Sequence, residues 1–165
     1  MKRLFARLLA IPTFFVASAA IAQPEYVTIK MEIDVAKPAA EVWAAVGGFC
    51  DISEWLSIEC EITSGDGGIG TVRSLAGGRV TEVLVGQTEL SQGYTMPAVE
   101  GAFYNLYHGF VEARPVTATT SKLIYTLMLD VSNLADQAAK DADVARRRAT
   151  FERALATMKG IAEGA

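Results

Sequence analysis

Arg73 and Glu82 are the two residues of this chain whose types and spacing best suit chemistry. They flank Ala76-Gly77-Gly78, a turn by composition, and each shares the parity of apolar neighbours: Thr71 and Leu75 with Arg73, Val80 and Leu84 with Glu82. Facing a cavity, the pair would orient a ligand's polar group. Glu82 would then be a candidate acid or base, with Arg73 or Tyr107 holding an enolate. At a sheet rim the same pair is an ordinary cross-strand ion pair, worth roughly a few tenths of a kcal/mol. Charges that interrupt an apolar alternation are expensive unless partnered, which favours the interior.

The remaining inventory is thin. His108 is the only histidine, and its parity puts it on the opposite face from Tyr107, hence outward. No serine sits in a G-x-S-x-G elbow. Gly65, Gly67 and Gly70 fit G-x-G-x-x-G, but that motif binds pyrophosphate at the start of a helix, and Thr71–Leu75 reads as a strand. Two cysteines and one histidine, dispersed, make no zinc site, and no cofactor is expected. Cys50 and Cys60 admit two readings. One is a disulfide tying the loop between two small helices to the next strand. The other is a pair of buried free thiols.

Bulk composition narrows the class. The chain has 165 residues, one domain by length. Lys2, Arg3 and Arg7, an apolar run from Leu8 to Ile21, and Ala20-Ile21-Ala22 before Gln23 read as a secretory signal peptide over residues 1–22. The alternative is an uncleaved membrane anchor, for which Pro12 and the shortness of the run are poor. Residues 23–165 then form the mature domain, periplasmic or secreted. Cleavage removes three of the 15 positive charges and leaves 12 against 19 acidic ones, which argues against a nucleic-acid partner.

The elements that must position these residues follow in order. Tyr26–Val35 alternates, with Val27, Ile29, Met31, Ile33 and Val35 on one face. Pro38 suits a helix start, Ala39–Val46 carries an apolar stripe, and Gly47-Gly48 stops it. Asp51 or Ser53 can cap a second short helix ending near Trp55-Leu56. Strands are predicted over 58–63, 71–75, 79–85, 92–96, 104–116 and 122–131, and a helix from Leu134 to about Ala162. On that helix Val144, Phe151, Leu155, Met158 and Ala162 make an apolar stripe, while Arg146, Arg147, Arg148, Glu152 and Lys159 mostly face water. Tyr107, Gly109, Val111 and Ala113 share one face, as do Leu123, Tyr125, Leu127 and Leu129. Gly109 and Ala113 opposite an alanine-rich helix would leave a hollow. About 200 Å³ left empty costs several kcal/mol at roughly 24 cal/mol per Å³, so such a hollow usually holds something.

Val35–Leu56 supplies Pro38, Val42, Trp43, Val46, Phe49 and Trp55. Gly70, Val72 and Arg73, then Glu82 and Leu84, form a second motif, and Tyr107–Pro115 a third. In this order they resemble the START/Bet v 1-like (SRPBCC) superfamily, in particular its polyketide cyclase/dehydrase-like branch. The resemblance implies an α+β helix-grip fold: a seven-stranded antiparallel curved sheet around a long C-terminal helix, with two short helices after the first strand. It also implies a cavity for a hydrophobic or amphipathic small molecule. Plant abscisic acid receptors are similar at greater distance, and their gate loop would fall near Leu75–Arg79. The lysine with which they hold a carboxylate has no counterpart here, since Ile58 or Glu59 stands about there.

The expected ligand contacts on the sheet are Arg73, Leu75, Glu82, Leu84, Tyr107 and Gly109. Tyr125, Leu127, Phe151 and Leu155 complete the set from the last strand and the helix. Three functions remain open: a binding protein for such a molecule, a cofactor-free cyclase or dehydratase, and an accessory protein docking on a periplasmic partner. The last would show an exposed apolar patch near Phe103 or Phe110.

Overall fold

In the computed structural model, which describes residues 24–98 and 106–164, β1 (Tyr26–Val35) leads into α1 (Ala39–Val46) and α2 (Ile52–Trp55). Six strands follow: β2 (Cys60–Ser64), β3 (Val72–Leu75), β4 (Val80–Thr88), β5 (Ser91–Thr95), β6 (Tyr107–Pro115) and β7 (Ser121–Asp130). The long helix α3 (Gln137–Glu163) closes the order. The strands form one antiparallel sheet in the order β1-β7-β6-β5-β4-β3-β2, so the chain walks back across the sheet from β2 to β7 and meets β1. Register shifts between Ile62 and Ser64 and between Leu84 and Gly86 curve it, because an extra residue on one strand bends the ladder. This is the helix-grip fold that the resemblance implies.

Period-two burial places the core on the concave face. Ile29, Met31 and Val35 of β1, Val111 and Ala113 of β6, and Leu123, Leu127 and Leu129 of β7 are all buried. Phe151, Ala154, Leu155 and Met158 of α3 meet them across the layer. Each such leucine contributes about 2 kcal/mol by leaving water. The outer face is mixed, with Phe110 and Met128 partly exposed.

Local chemistry moves several predicted boundaries. Helix α3 starts at Gln137 rather than Leu134, because Asp136 is its N-cap and accepts from Ala139 N at 2.8 Å. Asp51 occupies the N-cap position of α2, but its carboxylate accepts from Gly48 N at 2.6 Å, and Ser53 Oγ donates to Cys50 O. Neither side chain therefore caps α2 as anticipated. Helix α1 has its predicted bounds and stops where Trp43 folds over Gly47, leaving no room there for a Cβ. The G-x-G-x-x-G stretch is the β2–β3 turn, with Gly65, Gly67 and Gly70 at φ of 91°, 100° and 96°, as the strand reading requires. The predicted signal peptide, Phe103, and the first residues of the 104–116 strand lie outside the described residues.

Candidate functional site

The two charges read from parity meet inside the molecule. Arg73 and Glu82 are opposite one another in the β3–β4 ladder, and only 1% and 4% of their surfaces are exposed. Arg73 donates from Nε at 2.8 Å and from Nη2 at 2.6 Å, both to Glu82 Oε2. Its third donor, Nη1, reaches the Phe49 carbonyl. The guanidinium lies between two rings, 4.1 Å from the Phe49 centroid and 4.9 Å from that of Tyr94. Arg73 is thus held from all three of its nitrogens. Glu82 Oε1 takes no hydrogen bond from the described residues, and Glu82 forms part of a cavity wall.

That cavity measures about 280 Å³, near the lower end of the usual ~300–1,000 Å³ for small-molecule sites. Ile52 and Leu56 of α2 and its exit, Ile58, Leu75 and Ala76 form one side. Val80, Glu82, Tyr94, Met96 and Tyr107 form the sheet floor, and Phe151 and Arg147 of α3 the roof. Of the expected contacts, Leu75, Glu82, Tyr107 and Phe151 are here, and Arg73 stands directly behind Glu82. Leu84, Tyr125, Leu127 and Leu155 do not line it: they are fully buried in the packed layer beneath. The β3–β4 turn, expected to resemble a gate loop, contributes Leu75, Ala76 and Val80, and turns through left-handed backbone at Ala76, Gly77 and Gly78.

Gly109 does not leave the hollow anticipated for it. Tyr94, its partner in the β5–β6 ladder, lays its ring over the glycine, and a Cβ there would fall 2.1 Å from Tyr94 Cζ. The Tyr94 hydroxyl then reaches the Tyr125 hydroxyl at 2.6 Å. Gly109→Ala is expected to cost about 1–3 kcal/mol or more in urea unfolding, because backbone and ring cannot both stay. Tyr94→Leu in the same chain should recover part of that loss. An unaltered midpoint in Gly109→Ala would refute this packing.

Arg147 is a second correction. It was expected to face water, yet its guanidinium lies 5.1 Å from the Tyr107 centroid, with Nε donating to Asp143 Oδ2 at 2.9 Å. Its long stem crosses apolar surface while its head reaches charge. A signal was available, since Arg147, Phe151 and Leu155 share one i, i+4 row. Ile52 and Leu56 were legible the same way. Tyr94, Ile58 and Met96 carried no periodic signal beyond a plain strand.

Electrostatics inside are set by burial. Desolvation raises the Glu82 pKa above its ordinary value, with Arg73 opposing. Burial likewise raises Tyr94 and Tyr125, so both keep their protons at neutral pH. The interior therefore offers a carboxylate whose charge Arg73 balances, with no uncompensated cation beside it. His108 falls on the outer parity of β6, away from Tyr107. Among the described residues, no three His, Cys, Asp or Glu side chains gather as metal ligands would. Cys50 and Cys60 form a disulfide with Cα atoms 5.6 Å apart, which resolves the two readings of these residues. The bridge encloses Ile52, Leu56 and Ile58, the α2 side of the cavity wall.

Comparison with known proteins gives the following. The family described as polyketide cyclase / dehydrase and lipid transport matches residues 26–163. The ZhuI aromatase/cyclase from a Streptomyces species is similar in structure, with TM-score 0.68 and 17% identity over 84% of this chain and 94% of that one. Norcoclaurine synthase from Thalictrum flavum, solved with dopamine and hydroxybenzaldehyde, gives TM-score 0.64 and 16% identity over 94% and 98%. Ara h 8.0201 gives TM-score 0.63 and 17% identity over 86% and 100%. At these identities the structures share a fold. No curated protein matches the sequence.

Proposed function

The chain belongs to the polyketide cyclase/dehydrase and lipid-transport family of the START/Bet v 1-like (SRPBCC) superfamily, and from that premise we propose that it is an exported binding protein for a hydrophobic small molecule. The observation that carries this is the cavity of about 280 Å³ beside a buried Arg73–Glu82 pair whose Glu82 Oε1 takes no hydrogen bond from the described residues. A largely apolar wall takes the body of the ligand. Glu82 Oε1 then accepts from a hydroxyl or similar neutral donor, and the rigid Arg73 fixes where that acceptor stands. Export rests on the reading of residues 1–22, and the N-terminus of protein isolated from its host should be Gln23 or a near neighbour.

The test is native mass spectrometry of the chain purified from its own host. One small apolar molecule per chain is expected, released by organic extraction. Leu56→Trp, which fills the wall, should eliminate the bound species while the chain stays folded. A chain that carries nothing, and that binds no fluorescent apolar probe, would overturn the proposal.

One observation favours a second reading. The raised pKa of Glu82 at a cavity wall is what a general acid or base of a cyclase or dehydratase needs. Glu82→Gln separates the two: it would abolish turnover of such an enzyme with ligand still bound.

A further inference from the structure

A second groove lies behind the cavity wall, between the α2 exit and one stripe of α3. Trp55, Leu56 and Ile58 form one bank, and Thr150, Arg153 and Thr157 the other, around about 500 Å³. Leu56 and Ile58 line the cavity as well, so they are the partition between the two spaces. The backbone between them turns through Ser57 at φ 55°, a strained conformation for a residue with a Cβ.

The groove is basic in a way its surroundings are not. Every other cation of α3 has a carboxylate: Lys140 has Glu25, Arg146 and Arg147 share Asp143, Arg148 has Glu152, and Lys159 has Glu163. Arg153 has none among the described residues, and no acidic side chain lines the groove. This is notable on a chain of net charge −4. On the opposite bank stands Trp55, whose indole N–H is buried beneath the groove surface with no acceptor among the described residues. An exposed guanidinium with no carboxylate partner among the described residues, beside an apolar partition, is complementary to an amphipathic anion.

We infer that this groove is a head-group subsite for an amphipathic carboxylate. The apolar chain of the ligand passes the Leu56–Ile58 partition into the cavity, and the carboxylate is held outside by Arg153. The fork of an arginine matches a carboxylate bidentately. The inference rests on the cavity reading above and adds to it the charge of the ligand and where that charge sits.

The experiment compares laurate below its micellar concentration with 1-dodecanol below its solubility limit, on the full chain with its disulfide intact. Affinity is read by calorimetry, and by Trp55 emission in a Trp43→Phe background. Laurate should bind at least tenfold more tightly than dodecanol and shift Trp55 emission. Arg153→Gln should bring laurate to the level of dodecanol and leave dodecanol unchanged. Arg153 is exposed, so the variant is expected to fold. Equal affinities in the parent chain, or a laurate preference that survives Arg153→Gln, would overturn the subsite. A preference lost in Arg147→Gln instead would place the head at the cavity mouth and overturn it too. Dodecanol binding without any preference for laurate sinks this inference alone, and binding of neither sinks the cavity reading with it.

Discussion

Arg73→Met is expected to lower stability by about 3–5 kcal/mol, because it leaves the Glu82 carboxylate buried without its counter-charge. Glu82→Leu should cost a similar amount by stranding the guanidinium between Phe49 and Tyr94. The double variant Arg73→Met/Glu82→Leu should lose much less than the sum, since two well-packed apolar side chains leave no charge unpaired. Urea unfolding of the four chains in a double-mutant cycle measures this, and strict additivity would show that the pair is not the closed unit described here. The pH dependence carries a sign. Burial raises the folded-state pKa of Glu82 above the unfolded value, so the folded chain holds that proton to higher pH. Its contribution to stability is therefore complete below the unfolded value of about 4.5 and is lost as pH rises through the raised one. Glu82→Gln should remove that part of the pH slope.

Loss of the Cys50–Cys60 bridge is the second large effect. Closing a loop of this length restricts the unfolded chain by about 3 kcal/mol in the chain-entropy account. A Cys50→Ser/Cys60→Ser variant, or the reduced parent, should be destabilised by about that amount in urea unfolding. The functional consequence is separate, because Ile52, Leu56 and Ile58 all lie inside the bridged segment. Ordering that wall on binding should weaken apolar ligands on the order of tenfold. Calorimetry with the same apolar probe before and after reduction checks it. An affinity indifferent to the bridge would mean that packing against α3 alone fixes the wall.

Alternation was enough to orient the sheet. Ile29, Met31 and Val35 could only face one way, and the same parity carried Arg73 and Glu82 inward with Leu75 and Leu84. Their partnership was legible too, because a short turn between two strands leaves few registers in which they can meet. The helix pair was legible from Pro38, the Val42–Val46 stripe and the double glycine.

What the sequence by itself determined was therefore the order of elements, the inward face of each, and the charged pair at the centre. Only the tertiary structure decided where the empty space lies. Gly109 promised room by its size, yet Tyr94 from the neighbouring strand fills it, and that depends on a register fixed across an eleven-residue connection. Arg147 was assigned to water by its charge, yet it stands over Tyr107, because a long side chain can bury its stem and still satisfy its head. The pairing of Cys50 with Cys60 and the partition formed by Leu56 and Ile58 depend on how α2 is carried against α3. Sequence periodicity records which way a side chain points; volume belongs to the contacts of several elements at once, and no single segment contains it.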